Sequence, residues 1–458
     1  MPFESSVFQR EVDAIVKTGA KGVFFRWEAE LHADGKSMEV YYVDVVEFQR
    51  DYKSQSFDVI SIEINVSAGS FEKYIVPHKD KLELTLKQIP LNELKPAENQ
   101  ESAIRAYRYR ATLYDGNSGI VAGNNPALQN MNAADNAMVK SVRLQLFDKV
   151  TEQIRLKTVG TVFRRTTTAN AVAVALGKMC KGLKNEDNSY AVKGVDVAPG
   201  FIEEQQSHIV VPHMTKLVTV PQFVHENYGG IYNFGLGYYL QDSIWYLYGL
   251  YDIKRYEKCK KTLTILNVPA ERYPNPERSY RNLPNQLIIL ATGEVEMKDE
   301  TEAQAMNQGL GVRFADANRL FESFAKTGDN KAIASRGENT AEFIAEERPT
   351  GINNAQASGK GITSNYAVER GNLAGRAGCY VQLVWEASVQ QLLYPGMPTK
   401  LMYLENERAQ EVYGVLLHAH TFHTPVATGI KNRKFVSKTI MTLFVDKKVQ
   451  VQDPEYAE

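Results

Sequence analysis

The residue types best able to do chemistry cluster in His418-Ala419-His420-Thr421-Phe422-His423. On a strand, His418 and His420 share a face and come within reach of one ion. His423 points the other way unless the strand bends. Histidines on the polar face of a barrel explain the same spacing, and whether His418 and His420 bind an ion stays open at this point. His225-Glu226-Asn227-Tyr228-Gly229 begins like a zinc-protease motif, but glycine stands where the second histidine must be, so the metal pair is missing. Ser358-Gly359-Lys360-Gly361-Ile362-Thr363 has the flavour of a phosphate loop. Asn354 occupies the place of its first glycine, and Gly361 that of the magnesium-binding hydroxyl. It reads as a polar loop. Gly229, Gly230, Gly235 and Gly237 do not match a dinucleotide fingerprint and sit among aromatics, where they allow turns and close backbone approach. Arg105, Arg108 and Arg110, with Tyr107 and Tyr109 between them, could stack and neutralise single-stranded nucleic acid. Strand alternation explains them more simply, with tyrosines in a core and arginines facing solvent or a channel. The carboxylates are scattered, and no acid–base pair emerges. No catalytic, cofactor-binding or metal-ligating residue is assigned, no cofactor is expected, and the chain reads as a non-enzyme.

The elements that would position such residues are mostly strands. Phe25 and Trp27, the run Val40 to Val46, Ile60-Ile62-Ile64-Val66, Leu82-Leu84-Leu86 and Tyr107-Tyr109-Ala111-Leu113 give five strand candidates within residues 22–115. Such density predicts a small barrel or sandwich. Residues 115–138 are rich in Asn, Ala and Gly and read as a loop. Val142, Leu144 and Leu146 follow as a strand, and Thr166-Thr167-Thr168 caps a short helix that stops near Gly182. Ile209 to Thr215, the aromatic run from Tyr238 to Tyr251, and residues 261–268 and 286–297 add further strands. Residues 326–376 turn polar and glycine-rich, a loop long enough to be functional or a linker. The last 80 or so residues return to alternation: Val381-Leu383-Trp385, then a turn at Tyr394-Pro395-Gly396-Met397-Pro398, then Val412 to Ala419 and Thr439-Met441-Leu443-Val445. These read as antiparallel strands around the Pro-Gly turn.

The 458 residues exceed one ordinary core, so two to four domains are expected. Lys and Arg number 53 against 54 Asp and Glu, a balance that argues against a dedicated nucleic-acid binder. Three cysteines, Cys180, Cys259 and Cys379, form no CxxC pair and fit a reducing compartment. The N-terminus lacks a signal-peptide pattern, and the most apolar run, Ile244 to Leu250, is far shorter than the roughly 20 residues of a membrane span.

Taken in order, Asp58 to Ile64 and Lys81 to Leu86, the capped helix at 166–182, Ile209-Val210-Val211-Pro212 with Tyr228-Gly229-Gly230-Ile231-Tyr232, and the closing Tyr394-Pro395-Gly396-Met397, Val412 to Val415 and Thr439 to Leu443 resemble the baseplate or tail hub proteins of contractile-tailed bacteriophages and related injection machines. The order of elements carries this resemblance over most of the chain except 326–376. It implies an α+β, mainly β protein with two small antiparallel tube-type β-barrels and a mixed middle region. The implied division is a first barrel at 1–115, a loop and short-helix insertion at 116–205, a mixed β region with aromatic strands at 206–325, a polar extended loop at 326–376, and a second barrel at 377–458 completed by part of 206–325. It further implies a structural virion protein, folded in the host cytoplasm. Its homotrimer would present six barrels between tail tube protein and central spike protein, touch other baseplate proteins, and pass genome DNA without sequence-specific binding. A tail-associated cell-wall hydrolase and a nucleic-acid-binding phage protein are the rival readings.

Overall fold

A computed structural model describes residues 5–17, 24–91, 105–114, 139–185, 190–274, 276–293, 312–315, 341–344, 371, 374–375, 378–405, 408–426 and 433–446. Helix α1 (Ser5–Val16) precedes β1 (Phe25–Ala33), β2 (Lys36–Met38), β3 (Tyr42–Asp51), β4 (Val59–Ser67), β5 (Leu82–Pro90), β6 (Arg105–Leu113) and β7 (Val139–Asp148). A middle layer follows: α2 (Lys149–Leu156), β8 (Thr158–Thr167), α3 (Thr168–Cys180), β9 (Gly194–Val197), β10 (Gln205–Lys216), α4 (Val220–Asn227), β11 (Leu236–Gln241) and β12 (Ile244–Gly249). The chain then forms β13 (Thr262–Asn267), β14 (Tyr280–Asn282), β15 (Gln286–Ala291), β16 (Val312–Ala315), β17 (Ala341–Ile344), β18 (Gly378–Glu386), β19 (Pro398–Glu405), β20 (Arg408–Pro425) and β21 (Phe435–Asp446). The protein is mainly β with some α, as its alternating sequence predicts.

Two closed rounds of strand pairing organise the large sheet. The first runs β20-β3-β4-β7-β6-β5-β1-β21 and returns to β20. Its closing contact, β1 to β21, is the single pair Phe25–Phe435. The five strands of residues 22–115 therefore do not close on themselves; β7, β20 and β21 complete the round. The second runs β20-β19-β13-β15, crosses from Thr292 to Val384 on β18 by reciprocal backbone hydrogen bonds of 2.9 and 2.8 Å, and returns through β21.

The second round is not purely antiparallel, which corrects the expectation. β13 runs parallel to both β15 and β19. Every residue of β13 is buried because both its faces are covered. Inside lies a core containing Leu263, Ile265, Leu383 and Trp385. Outside, α1 lays Phe8, Val12 and Ile15 against Leu266, Ile288 and Met402. The strands flanking the Pro-Gly turn also do not pair with each other: β18 pairs with β21, and β19 with β20 and β13. Gly396 takes φ +61°, and a Cβ there would overlap the Tyr248 ring, so glycine is required for both turn and approach. The first round encloses Trp27, Leu31, Ile62, Leu84 and Leu144. The middle layer has its own core around Val172, Leu176, Ile209 and Trp245.

Candidate functional site

The feature that sets the geometry of the whole chain is the long hairpin β20–β21, whose 18 and 12 residues belong to both rounds. β20 pairs with β19 through residues 408–415, breaks register between Leu416 and His418, and then pairs with β3 from His418 to His423. Alternate residues of β21 from Phe435 to Val445 are buried. Phe435 packs in the first core, whereas Met441, Leu443 and Val445 pack in the second. Between them lies a buried hydroxyl layer. Thr421 and Thr439 oxygens are 2.8 Å apart, Thr439 donates to Ser388 Oγ at 2.7 Å, and Ser388 and Ser437 oxygens lie 3.0 Å apart. Each hydroxyl serves another, so burial leaves none unpaired. The two cores thus sit end to end along one hairpin, divided by a hydrogen-bonded seam.

A second polar joint locks the middle layer to this pair. Arg50, buried on β3, donates from Nε to Asp58 Oδ2 at 3.1 Å, and its Nη1 donates to the Gln390 carbonyl at 3.1 Å. Tyr239 on β11 donates to the other Asp58 oxygen at 2.8 Å. Tyr52 OH donates to Gln241 Oε1 at 3.1 Å, and Gln241 Nε2 donates to the Leu393 carbonyl at 2.7 Å. Burial works against the Arg50 charge, but Asp58 and the surrounding tyrosine oxygens outweigh it and hold the guanidinium more firmly protonated than usual. Burial likewise pushes the Tyr52 and Tyr239 hydroxyls up, so both remain donors. The arrangement is a fixed joint.

The histidines divide as the strand geometry dictates. His418 and His420 lie on one face with ring centroids 6.2 Å apart, and His420 Nε2 is 3.8 Å from Glu47 Oε2. Glu47, which His420, Ser61 and Arg143 surround, is held below the usual carboxylate range. No group of three or more potential ligands forms a metal site among the described residues. His423 is not on a polar face. Its ring lies in the first core against Trp27, Phe25 and Phe48, where burial lowers its pKa to about 3. These rings, packed inside the first round, leave the His423 side chain 1% exposed.

His225 lies on α4, buried, and its Nδ1 accepts from the Ile231 N–H at 2.9 Å. Burial lowers its pKa to about 4. It anchors a turn. Arg108 pairs with Glu83 at 2.5 Å, and Arg110 with Glu152 at 3.3 Å. Tyr109 is buried, but Tyr107 is 40 % exposed, so only one of the two tyrosines enters the core. Tyr107 lies where β6 extends beyond its pairing with β7, which begins at Tyr109. It lines a cleft of about 960 Å³ between the first round and the middle layer, with Arg108, Lys149, Arg155, Lys216 and Asp242. The Ser358–Thr363 loop lies outside the described residues, as does nearly all of 326–376. Cys180, Cys259 and Cys379 are free thiols. No helix among the described residues is long and apolar enough to cross a membrane. Sequence reading missed α1, although Phe8, Val12 and Ile15 carry a helical spacing, and it missed the Arg50–Asp58 joint, which no local pattern marks.

No protein-family profile matches the chain, and no curated protein matches it. Solved structures are similar in fold. A tail protein from Neisseria meningitidis MC58 is 7% identical with TM-score 0.42, covering 92% of this chain and 96% of that one. The 43 kDa tail protein of prophage MuSo2 from Shewanella oneidensis is 9% identical with TM-score 0.43, covering 94% of this chain and 100% of that one. An E. coli type VI secretion component, described as structurally similar to bacteriophage T4 tail proteins, is 10% identical with TM-score 0.36, covering 91% and 77% respectively.

Proposed function

We propose that the chain is a structural tail or baseplate hub that joins a tail tube to a central spike and lines a channel for genome delivery. The observation that carries this reading is the pair of closed strand rounds on one shared hairpin. Each is read as a tube-type barrel, the first drawing on β1 and β3–β7, the second on β13, β15, β18 and β19. Two barrels per chain let three identical chains present six around an axis, which is the match needed between a sixfold tube and a threefold spike. The domain division read from the sequence is retained as part of this proposal, with the first barrel also taking in residues 139–148 and the shared hairpin.

A static adapter needs rigid parts rather than reacting ones. The hydroxyl seam and the Arg50–Asp58 joint support that reading, because each fixes one body against the next through buried, directional bonds. The role is non-enzymatic, and DNA would pass without sequence-specific contacts. The protein would be a virion component. Light scattering on the full chain, alone and with tube and spike proteins, tests the proposal. A mass near three times 51.5 kDa is expected. A monodisperse monomer under all these conditions would overturn it.

A further inference from the structure

β8 and β10 form a two-stranded ribbon that joins no other sheet among the described residues. Burial alternates along it. Ile209 and Val211 face the core of the middle layer, whereas Val162, Arg164, His208 and Val210 share the opposite, exposed face. Val162 and Val210 are cross-strand partners and stay 53% and 45% exposed. The β10 edge is closed at Val210: the Tyr228 hydroxyl accepts from the Val210 N–H and donates to the Val210 carbonyl, both at 2.9 Å. These bonds also fix the phase of the ladder. Val210 turns its backbone groups away from β8, so its partner Val162 turns its own away from β10. Arg164, opposite His208 and two residues along, does the same. The N–H and carbonyl groups of Val162 and Arg164 therefore form the free edge of β8, with no strand beside it among the described residues. An unpaired edge is a template for another strand.

The charge on this ribbon has one sign. Its strands, residues 158–167 and 205–216, contain Arg164, Arg165 and Lys216 and no aspartate or glutamate. Arg164 and Arg165 are exposed, and neither has an ion-pair partner among the described residues. Glu203 and Glu204, just before β10, are exposed as well and do not pair with them. The usual guards of an open edge are missing too, since Gly160 to Phe163 carries no charge and no proline. A nucleic acid would meet the arginines but leave the valine and the backbone edge unused. An extended acidic segment uses all three. Its amides and carbonyls fit the edge, an apolar side chain fits Val162, and carboxylates make charge-assisted bonds to the guanidinium groups.

We propose that the free edge of β8 is a strand-addition site for an extended acidic segment of a different polypeptide. The segment's backbone would pair with Val162 and Arg164, and its carboxylates would meet Arg164 and Arg165. The inference stands on the ribbon itself and does not depend on the hub reading. Hydrogen exchange of the full-length protein tests it, with a synthetic peptide of three Val-Thr-Glu-Thr repeats as the probe. That repeat sets an apolar and an acidic side chain two residues apart on one face, as Val162 and Arg164 are. At millimolar peptide, the Val162 and Arg164 amides are expected to slow at least fivefold. The same peptide N-methylated at every residue, or with Lys in place of Glu, should give less than a tenth of that protection. Val162→Pro removes an N–H that points out of the ribbon, so the ribbon is kept while protection of the Arg164 amide is lost. Arg164→Gln with Arg165→Asn should weaken protection at least fivefold and leave the thermal midpoint of the free protein unchanged. Neither arginine has an ion pair to lose, and asparagine suits the φ of +47° at position 165. No protection at these amides, full protection in either variant, or equal protection by the N-methylated or Lys peptide would overturn the proposal. Equal protection by a DNA oligonucleotide would also overturn it, by making the ribbon a general polyanion site. So would protection that rises with protein concentration alone, which would make the occupant a second copy.

Discussion

Thr421 on β20 and Thr439 on β21 face each other directly across the shared hairpin, their hydroxyl oxygens 2.8 Å apart at the seam between two hydrophobic cores. Either core could have continued through this position with valine. The hydroxyls instead tie the hairpin to Ser388, which belongs to the segment after β18. Thr439→Val should cost about 1–3 kcal/mol, because it removes the donor to the buried Ser388 Oγ and the acceptor of the buried Thr421 O–H. Removing both threonine hydroxyls should cost less than the sum of the single changes. A double-mutant cycle from urea unfolding measures that coupling, and strict additivity would show the seam to be energetically inert.

Asp58→Asn should destabilise the protein by about 3–5 kcal/mol, reduced somewhat because the Asp58 side chain is 23% exposed. The loss comes from stranding the Arg50 charge, which is buried at the joint. Replacing both residues, with Arg50→Met and Asp58→Asn, should recover a large part of the loss. Calorimetry of the three variants checks the order of stabilities. Equal loss in the double variant would mean that the pair matters for more than charge.

Gly396→Ala should destabilise by several kcal/mol on two grounds that act together. The backbone sits at φ +61°, and the new methyl would enter the Tyr248 ring. Adding Tyr248→Ala to Gly396→Ala should relieve the clash but not the backbone strain. Chemical denaturation distinguishes the two contributions.

Acid should weaken the fold through His423 before it touches the carboxylates. The ring is neutral in the folded protein, with its pKa lowered to about 3, whereas an unfolded histidine titrates near 6.5. Below pH 6.5 the unfolded chain binds a proton that the folded chain refuses, so stability is complete above that pH and falls toward pH 3. The slope is up to about 1.4 kcal/mol per pH unit for each such ring. His225, lowered to about 4, adds a parallel loss. His423→Leu should flatten the stability profile between pH 6.5 and 5, measured as urea midpoints. Over that range Glu47 stays ionised, since its neighbours hold it below the usual carboxylate value. An unchanged slope in the variant would show that His423 stays charged or reaches water.

Local pattern determined a good deal of this chain. Alternation in Ile60-Ile62-Ile64-Val66, Leu82-Leu84-Leu86 and Thr439-Met441-Leu443-Val445 marked strands that form where expected, and Thr167 caps α3 by accepting from the Asn170 N–H. Periodicity reports which face of an element is buried, and a cap is settled within one helical turn. Neither says which strand lies alongside. The turn at Gly396 therefore looked like a link between paired strands, although β18 and β19 pair with other partners. In the same way β13 gave no sign that it runs parallel to its neighbours, or that α1, some 250 residues earlier, covers its outer face. His423 and Arg50 are ordinary polar residues on their strands until pairing closes around them. Their burial, the seam at Thr421 and Thr439, and the open edge of β8 all depend on where strands far apart in sequence come to rest. Tertiary structure alone decides that, because strand pairing is a non-local contact and the energy that selects it comes from the cores it closes.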